Sequence, residues 1–328
     1  MSYLILGSNS FSGASYVNQL LLRGECVIGI SRSSQPHPAL CPYHNNPNYK
    51  NFSFYQLDLN RHAQEIFDVI NKHKPKYIID FASQSMVAES WLSPQAWYTT
   101  NIVAKVSLHQ YLKQCDFLER YIRISTPEVY GHTPEKVTET ARFNPSTPYA
   151  VSQAATDMSV LAFYRQYQFP VVITRFANFY GPYQALYRII PRAIVYSFLN
   201  KKLPLHGGGT SIRAFIYSTD FTRGIDAVIQ RGKLGETYHF SDDHFISIAS
   251  LIRKITSLLQ IPYESLVTVV SDRLGKDNQY LMDATKAQKE LDWKPQVLLD
   301  EGLYETIHWV KKSIESIKDL PFEYIHKD

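Results

Sequence analysis

Short apolar runs alternate with amphipathic stretches through the first half of the chain. SYLILG, CVIGIS, FSFYQLD, KYIIDF, RYIRIST and VVITRF are nearly continuous in apolar character, as strands become when both faces of their sheet are covered. Between most of them lie helical patterns at 11–23, 61–73, 94–114 and 149–168. Strand, helix, strand at this spacing predicts βαβ units and an α/β fold with a doubly wound parallel sheet. Past residue 178 the pattern loosens. An aromatic loop is followed by a helix near 189–200, the run Gly207-Gly208-Gly209, a strand at 213–217 and shorter elements. The change predicts a larger domain over 1–177 and a smaller one over 178–328, with a segment near 213–232 returning to the first.

Composition narrows the classes. The 328 residues are 45% hydrophobic and 20% charged, as in an ordinary soluble globular protein. A net charge of +4 with no dense Lys/Arg block argues against nucleic acid or a membrane surface as partner. Cys26, Cys41 and Cys115 have no zinc-like spacing and cannot all pair, so reduced thiols in a cytoplasmic protein are expected and no metal site is indicated. No basic leader precedes the first strand, and no apolar stretch approaches the roughly 18 residues of a membrane span. The 23 tyrosines and 17 phenylalanines suit stacking on planar or sugar rings, and equally an aromatic core.

Chemistry enters with GSNSFSG, residues 7 to 13, which follows the first strand and opens the first helix. Gly7 and Gly13 allow a tight turn and close helix packing, while Ser10 replaces the middle glycine of the usual dinucleotide fingerprint. A phosphate arriving beside Asn9, Ser10 and Phe11 meets backbone N–H groups and the positive end of a helix dipole. The second strand ends in Ser31-Arg32-Ser33 with no acidic residue to hold a ribose 2′-hydroxyl. Hydroxyls and a guanidinium there favour the 2′-phosphate of NADP, with NAD the alternative. Asp58 can accept from an adenine amino group or simply cap a turn. With Leu59, and with Phe81-Ala82 after the fourth strand, it completes the candidate cofactor set.

Three stretches fall at the carboxyl ends of strands, where a Rossmann-type sheet places its chemistry. They are FASQS (81–85), STPEVYG (125–131) and PYAVSQ (148–153). Together with ANFYGP, KKLPLHGGGTSIRAFIYSTD, GETYHFSD, DRLGKDNQYLMD and ELDWKP in that order, the chain resembles the extended short-chain dehydrogenase/reductase superfamily. Within it, the resemblance is to the nucleotide-sugar 4,6-dehydratases acting on dTDP-glucose and GDP-mannose. It implies oxidation of the sugar at C4, removal of the C5 proton, loss of water from C6 and return of the hydride to C6. Carried over, Tyr149 is the base at the C4 hydroxyl, Thr126 hydrogen-bonds the same oxygen and Glu128 takes the C5 proton. The sugar 4-epimerases that share the fold lack a carboxylate at the position of Glu128.

Two positions depart from that pattern. Pro127 stands where the dTDP-glucose enzymes have an aspartic acid and the GDP-mannose enzymes a serine, so Glu128 is left to return its proton to the C6 oxygen. Gln153 stands where the superfamily's Tyr-x-x-x-Lys has its lysine, one helical turn from Tyr149. A lysine there lowers the tyrosine pKa from about 10 by about one to three units and bonds the nicotinamide ribose. Gln153 keeps the bond and lacks the charge, so a Gln153→Lys change is expected to speed the reaction near neutral pH.

The same resemblance places Gln84, Ser85, Asn178, Arg188, Leu205, Arg213 and Arg273 at a nucleoside-diphosphate sugar, the two last arginines on its phosphates. It also implies a homodimer through the helices at 94–114 and 149–168. Two alternatives stay open: an epimerase or keto-sugar reductase, and a dinucleotide-binding homologue retired from catalysis.

Overall fold

The computed structural model describes residues 2–271 and 278–326. The first half builds β1 (Ser2–Leu6), α1 (Phe11–Leu22), β2 (Cys26–Ser31), β3 (Phe52–Gln56), α2 (Ala63–His73) and β4 (Tyr77–Asp80). Then come α3 (Pro94–Tyr98), a π-helical turn (Thr99–Val103), α4 (Ala104–Leu112), β5 (Arg120–Ser125), β6 (Lys136–Val137), α5 (Pro148–Tyr167) and β7 (Val171–Phe176). The second half adds β8 (Asn178–Tyr180), α6 (Ile189–Phe198), β9 (Leu203–His206), β10 (Ile212–Tyr217), α7 (Ser218–Arg231), β11 (Thr237–Phe240) and β12 (Phe245–Ser247). It closes with α8 (Ile248–Leu258), α9 (Tyr263–Leu266), β13 (Val267–Val270), β14 (Leu281–Met282), α10 (Thr285–Leu291) and α11 (Leu299–Ile317).

Seven parallel strands form the main sheet in the order β3-β2-β1-β4-β5-β7-β11. The order reverses between β1 and β4, so a crevice opens outside the carboxyl ends of these two strands, the usual place for a dinucleotide in this fold. The apolar runs fill both faces. On one, Ile5, Val17, Ile79 and Ile122 pack with Phe221 and Phe240; on the other, Leu4, Ile28, Ile78 and Val171 pack with Ile66 and Val160. A separate core, including Ile194, Leu205, Phe215, Ile252 and Val310, supports the smaller sheets. Those it underlies are β8-β10-β12 and β9-β13, and a third small sheet pairs β6 with β14.

The expected strands and helices are present, with one interruption. The 94–114 pattern is not a single helix: five π-helical residues, Thr99–Val103, separate α3 from α4. Such bulges re-aim side chains and occur often at functional sites. Here the bulge carries the buried Asn101.

Candidate active site

The turn after β1 has no room for side chains at its two glycines. Gly7 has φ +77°, and a Cβ there would lie 2.8 Å from the Ala82 nitrogen; a Cβ at Gly13 would lie 2.3 Å from the Gly7 oxygen. Ser10 caps α1, accepting from the Gly13 N–H at 3.0 Å and donating to the Gly7 oxygen at 2.7 Å. It therefore performs structural work in place of the middle glycine and leaves the first turn of α1 facing the crevice. Asn9 pins the end of β2, donating to the carbonyls of Ser33 (2.8 Å) and Ser34 (2.9 Å), while its own N–H donates to Ser31 Oγ at 3.0 Å. Phe11 stacks on Phe179, 5.4 Å between centroids. A turn that a Cβ would obstruct, set against a helix N-terminus at the sheet's switch point, fits a nicotinamide dinucleotide.

Arg32 does not stay beside the end of β2. Its Nη2 donates to Gln84 Oε1 at 3.4 Å, and it hydrogen-bonds Tyr324 near the chain's end. Asp58 caps its own turn, accepting from Asn60 N–H at 2.7 Å, with Leu59 half-buried beside it. Phe81 and Ala82 follow β4 directly, Ala82 being the residue against Gly7.

Thr126 caps a short 3₁₀ turn after β5 by accepting from the Glu128 N–H at 3.4 Å. Pro127 at the first position of this turn has no N–H to lose there. Thr147 caps α5, accepting from Ala150 N–H at 3.2 Å, and Pro148 opens the helix. Tyr149 is thereby held in the first turn of α5, where it is buried and hydrogen-bonded to the Thr126 side chain. Burial raises its pKa most, and the Glu128 carboxylate raises it further; the Thr126 bond, Arg123 and Arg188 pull it down. Thr126, Glu128 and Tyr149 thus meet at one point.

Gln153, fully buried, joins the same group from below. Its Nε2 donates to Ser83 Oγ at 2.7 Å, and its Oε1 accepts from Arg123 Nη2. Ser83 donates to Asn101 Oδ1 at 3.2 Å, and Asn101 brackets the backbone of Gln84, accepting from its N–H at 2.9 Å and donating to its carbonyl at 3.0 Å. Asn101 also donates to Ser152 Oγ at 2.9 Å. Arg123, Ser83 and Asn101 were not foreseen from sequence. The signals were an arginine in the middle of a largely apolar strand, a serine within FASQS and an asparagine inside a helical pattern.

On the far side of the crevice, Asn178 Oδ1 accepts from Tyr280 OH at 3.0 Å. Arg213 lies 4.1 Å over the Tyr280 ring and donates to the carbonyls of Ile212 and Asn278. Arg188 is exposed at the start of α6 against Tyr187, and Ser85 is exposed while Gln84 is buried. Leu205 was expected at the nucleotide sugar. It lies instead in β9 with its side chain in the core of the smaller region, 2% exposed, because alternation along the strand turns it inward. Arg273 lies outside the described residues.

Together, fold and site define an enzyme of the short-chain dehydrogenase/reductase type that works on a nucleotide sugar with a nicotinamide dinucleotide. Residues 4–306 match the family described as GDP-mannose 4,6 dehydratase, and the chain belongs to that family. Among similar proteins, the dTDP-glucose 4,6-dehydratase 1 of Escherichia coli is 33% identical over 98% of this chain and 97% of its own. The dTDP-glucose 4,6-dehydratase of Haemophilus influenzae is 31% identical over 94% and 97%. The solved dTDP-glucose 4,6-dehydratase of Streptomyces venezuelae with NAD bound superposes with a TM-score of 0.90 at 29% identity, covering 98% of this chain and all of its own. The solved UDP-glucuronic acid 4-epimerase of Bacillus cereus is also similar, with a TM-score of 0.85 at 26% identity over 95% and 99%.

Proposed function

We propose that the protein dehydrates a dTDP-hexose of the glucose type, with NAD recycled in each turnover, giving a 4-keto-6-deoxy sugar nucleotide. The observation that carries the reading is Glu128 beside Thr126 and Tyr149. C4 oxidation alone needs no carboxylate at that point; removal of the C5 proton does. The dTDP-glucose enzymes among the relatives support the nucleotide. NAD replaces the NADP first favoured because the solved relatives hold NAD and because Arg32 is drawn toward Gln84 and Tyr324.

When bound, the dinucleotide supplies reversible hydride acceptance. Gly7, Ser10, Phe11 and Gly13 would hold its phosphates, and Gln153 and Ser83 would take its nicotinamide ribose. Tyr149, with Thr126 on the same oxygen, takes the C4 hydroxyl proton. The resulting ketone acidifies C5, and Glu128 removes that proton. The same carboxyl then returns the proton to the departing C6 oxygen, since Pro127 has nothing to donate. Asn178, Arg188, Arg213 and Arg273 hold the diphosphate end, where guanidinium pairs suit adjacent phosphates. C6 then receives the hydride taken from C4, C5 regains a proton from solvent through Glu128, and the proton held by Tyr149 is released, so the reaction sums to the loss of one water.

A panel of dTDP-, GDP-, UDP- and CDP-hexoses, followed by mass spectrometry in D2O, tests the reading. Loss of one water from the dTDP sugar with deuterium incorporated is expected, and NAD should be released on denaturation. An epimer of unchanged mass, net consumption of cofactor, or no turnover of any sugar would each overturn it.

A further inference from the structure

The sequence leaves Tyr149 without the lysine that usually stands four residues on, yet the fold places a cation against that same position from another element. Arg123 extends from the centre of β5 into the layer beneath α5, and its side chain is 1% exposed. Its Nη1 donates to the Ile124 carbonyl at 2.8 Å, its Nε lies 3.4 Å from Asp157 Oδ1, and its Nη2 donates to Gln153 Oε1. A guanidinium only donates. The Gln153 amide must therefore turn its oxygen to Arg123 and its NH₂ outward to Ser83, so the amide shows the crevice a donor, as an ammonium would.

Charge is present as well as orientation. Around Arg123 are two carboxylates, Asp80 and Asp157, and two further cations, Lys105 and Arg175, all with side chains 0–1% exposed. Three cations against two carboxylates leave one net positive charge. Burial lowers the Lys105 pKa to about 8 despite Asp80, so it remains charged at neutral pH, and the neighbouring His109 is held neutral. A charge in a buried, weakly screened layer acts over a longer distance than one in water. Burial and Glu128 hold the Tyr149 pKa up, and Arg123 and Arg188 are cations that work against them.

We propose that Arg123, acting through Gln153, replaces the missing lysine as the positioning and charge-supplying residue for the Tyr149 proton. The inference rests on the dehydratase reading for its kinetic arm. It also reverses the expectation that Gln153→Lys alone would help: a lysine there would press its ammonium against the Arg123 guanidinium in a buried site. Arginine at 123 and lysine at 153 are alternatives.

The test is a reciprocal exchange. Arg123→Gln is expected to move the rising limb of the pH–rate profile to higher pH by about one unit, with about a tenfold loss of kcat near neutrality. Gln153→Lys alone also loses activity. Arg123→Gln combined with Gln153→Lys recovers most of the rate and returns the limb toward its original position, which a purely structural role for Arg123 would not produce. Gln153→Leu keeps the Arg123 charge and cuts the relayed donor, so its limb should move less than in Arg123→Gln; Arg123→Lys, which keeps a cation there, should hold the limb near its original position even if Arg123→Gln folds poorly. Independently of turnover, ¹⁹F NMR of fluorotyrosine-labelled protein follows Tyr149 itself, its resonance assigned by loss in Tyr149→Phe. Its titration midpoint should rise in Arg123→Gln and fall back in the double variant. An unmoved midpoint, or a double variant no faster than Arg123→Gln, overturns the proposal. Absence of dehydration by the unaltered protein would instead overturn the dehydratase reading and leave the NMR arm to decide this one.

Discussion

Glu128 and Arg123 press on Tyr149 with opposite signs, and this makes the proton chemistry separable at the level of single residues. Removing the carboxylate charge in Glu128→Gln should lower the Tyr149 pKa, since the Glu128 charge is the second cause that raises it. Oxidation at C4 therefore remains available in this variant, while the step that needs a base at C5 does not. The expected result is a loss of dehydration of at least about a hundredfold, in the range for a missing general base, with no deuterium entering C5. Reduced cofactor should accumulate in a single turnover, visible by its absorbance. Undiminished exchange at C5 in Glu128→Gln would move the base elsewhere and take the dehydratase assignment of Glu128 with it.

α5 shows how far an element could be foreseen. Its capping threonine, its proline at the first position and the tyrosine in its first turn are local chemistry, and all are readable in STPYAVSQ. The strands were equally legible, because a fully covered parallel strand is an apolar run. What lay beneath was not. Arg123 and Arg175 each sit in a run dominated by apolar residues, and only the register of β5 with β7 and the approach of Asp157 from α5 show that they share one buried layer. The π-helical turn escaped because a 3.6-residue period does not register one inserted residue. Strand alternation turns the Leu205 side chain into the core, which the local sequence did not show. The outer side of α5 carries a further expectation. Val151 and Met158, one heptad apart, are 39% and 61% exposed, and Leu92 and Val103 nearby are 86% and 63% exposed. We infer that a second copy covers this surface. Val151→Glu with Met158→Glu should therefore yield monomer by light scattering while far-ultraviolet dichroism stays unchanged. An unmodified chain that is already monomeric would refute the inference.

The buried charged layer extends beyond the site and couples the whole molecule to pH. His109 is enclosed by the rings of Tyr121, Phe163 and Phe169, with both nitrogens lacking a hydrogen-bond partner. His239 bonds Tyr130 OH at 2.8 Å and the Asp283 carbonyl at 3.2 Å. Burial, reinforced by Arg175 at His239, pushes the pKa of each down to about 3. The folded state therefore keeps both neutral while the unfolded chain binds protons below its ordinary value near 6.5. Stability is full above about 6.5 and lost as pH falls toward 3, at roughly 1 kcal/mol per pH unit for each histidine. Asp80 is held below its ordinary range because the charges of Lys105 and Arg123 and the hydrogen bonds from Lys105 and Tyr121 outweigh its burial, which adds a loss below about 4. Glu139, raised by burial, works the opposite way above its ordinary range. His109→Leu removes one of the two histidines and its two unpaired nitrogens at similar volume. The variant should be more stable at pH 7 by about 1–2 kcal/mol, and its stability should fall less steeply between pH 6.5 and 4. Urea unfolding followed by tryptophan fluorescence at several pH values measures both quantities. A slope equal to that of the unaltered chain would show that His109 is protonated in the fold, and would remove one neutral member from the layer that leaves Arg123 with its surplus charge.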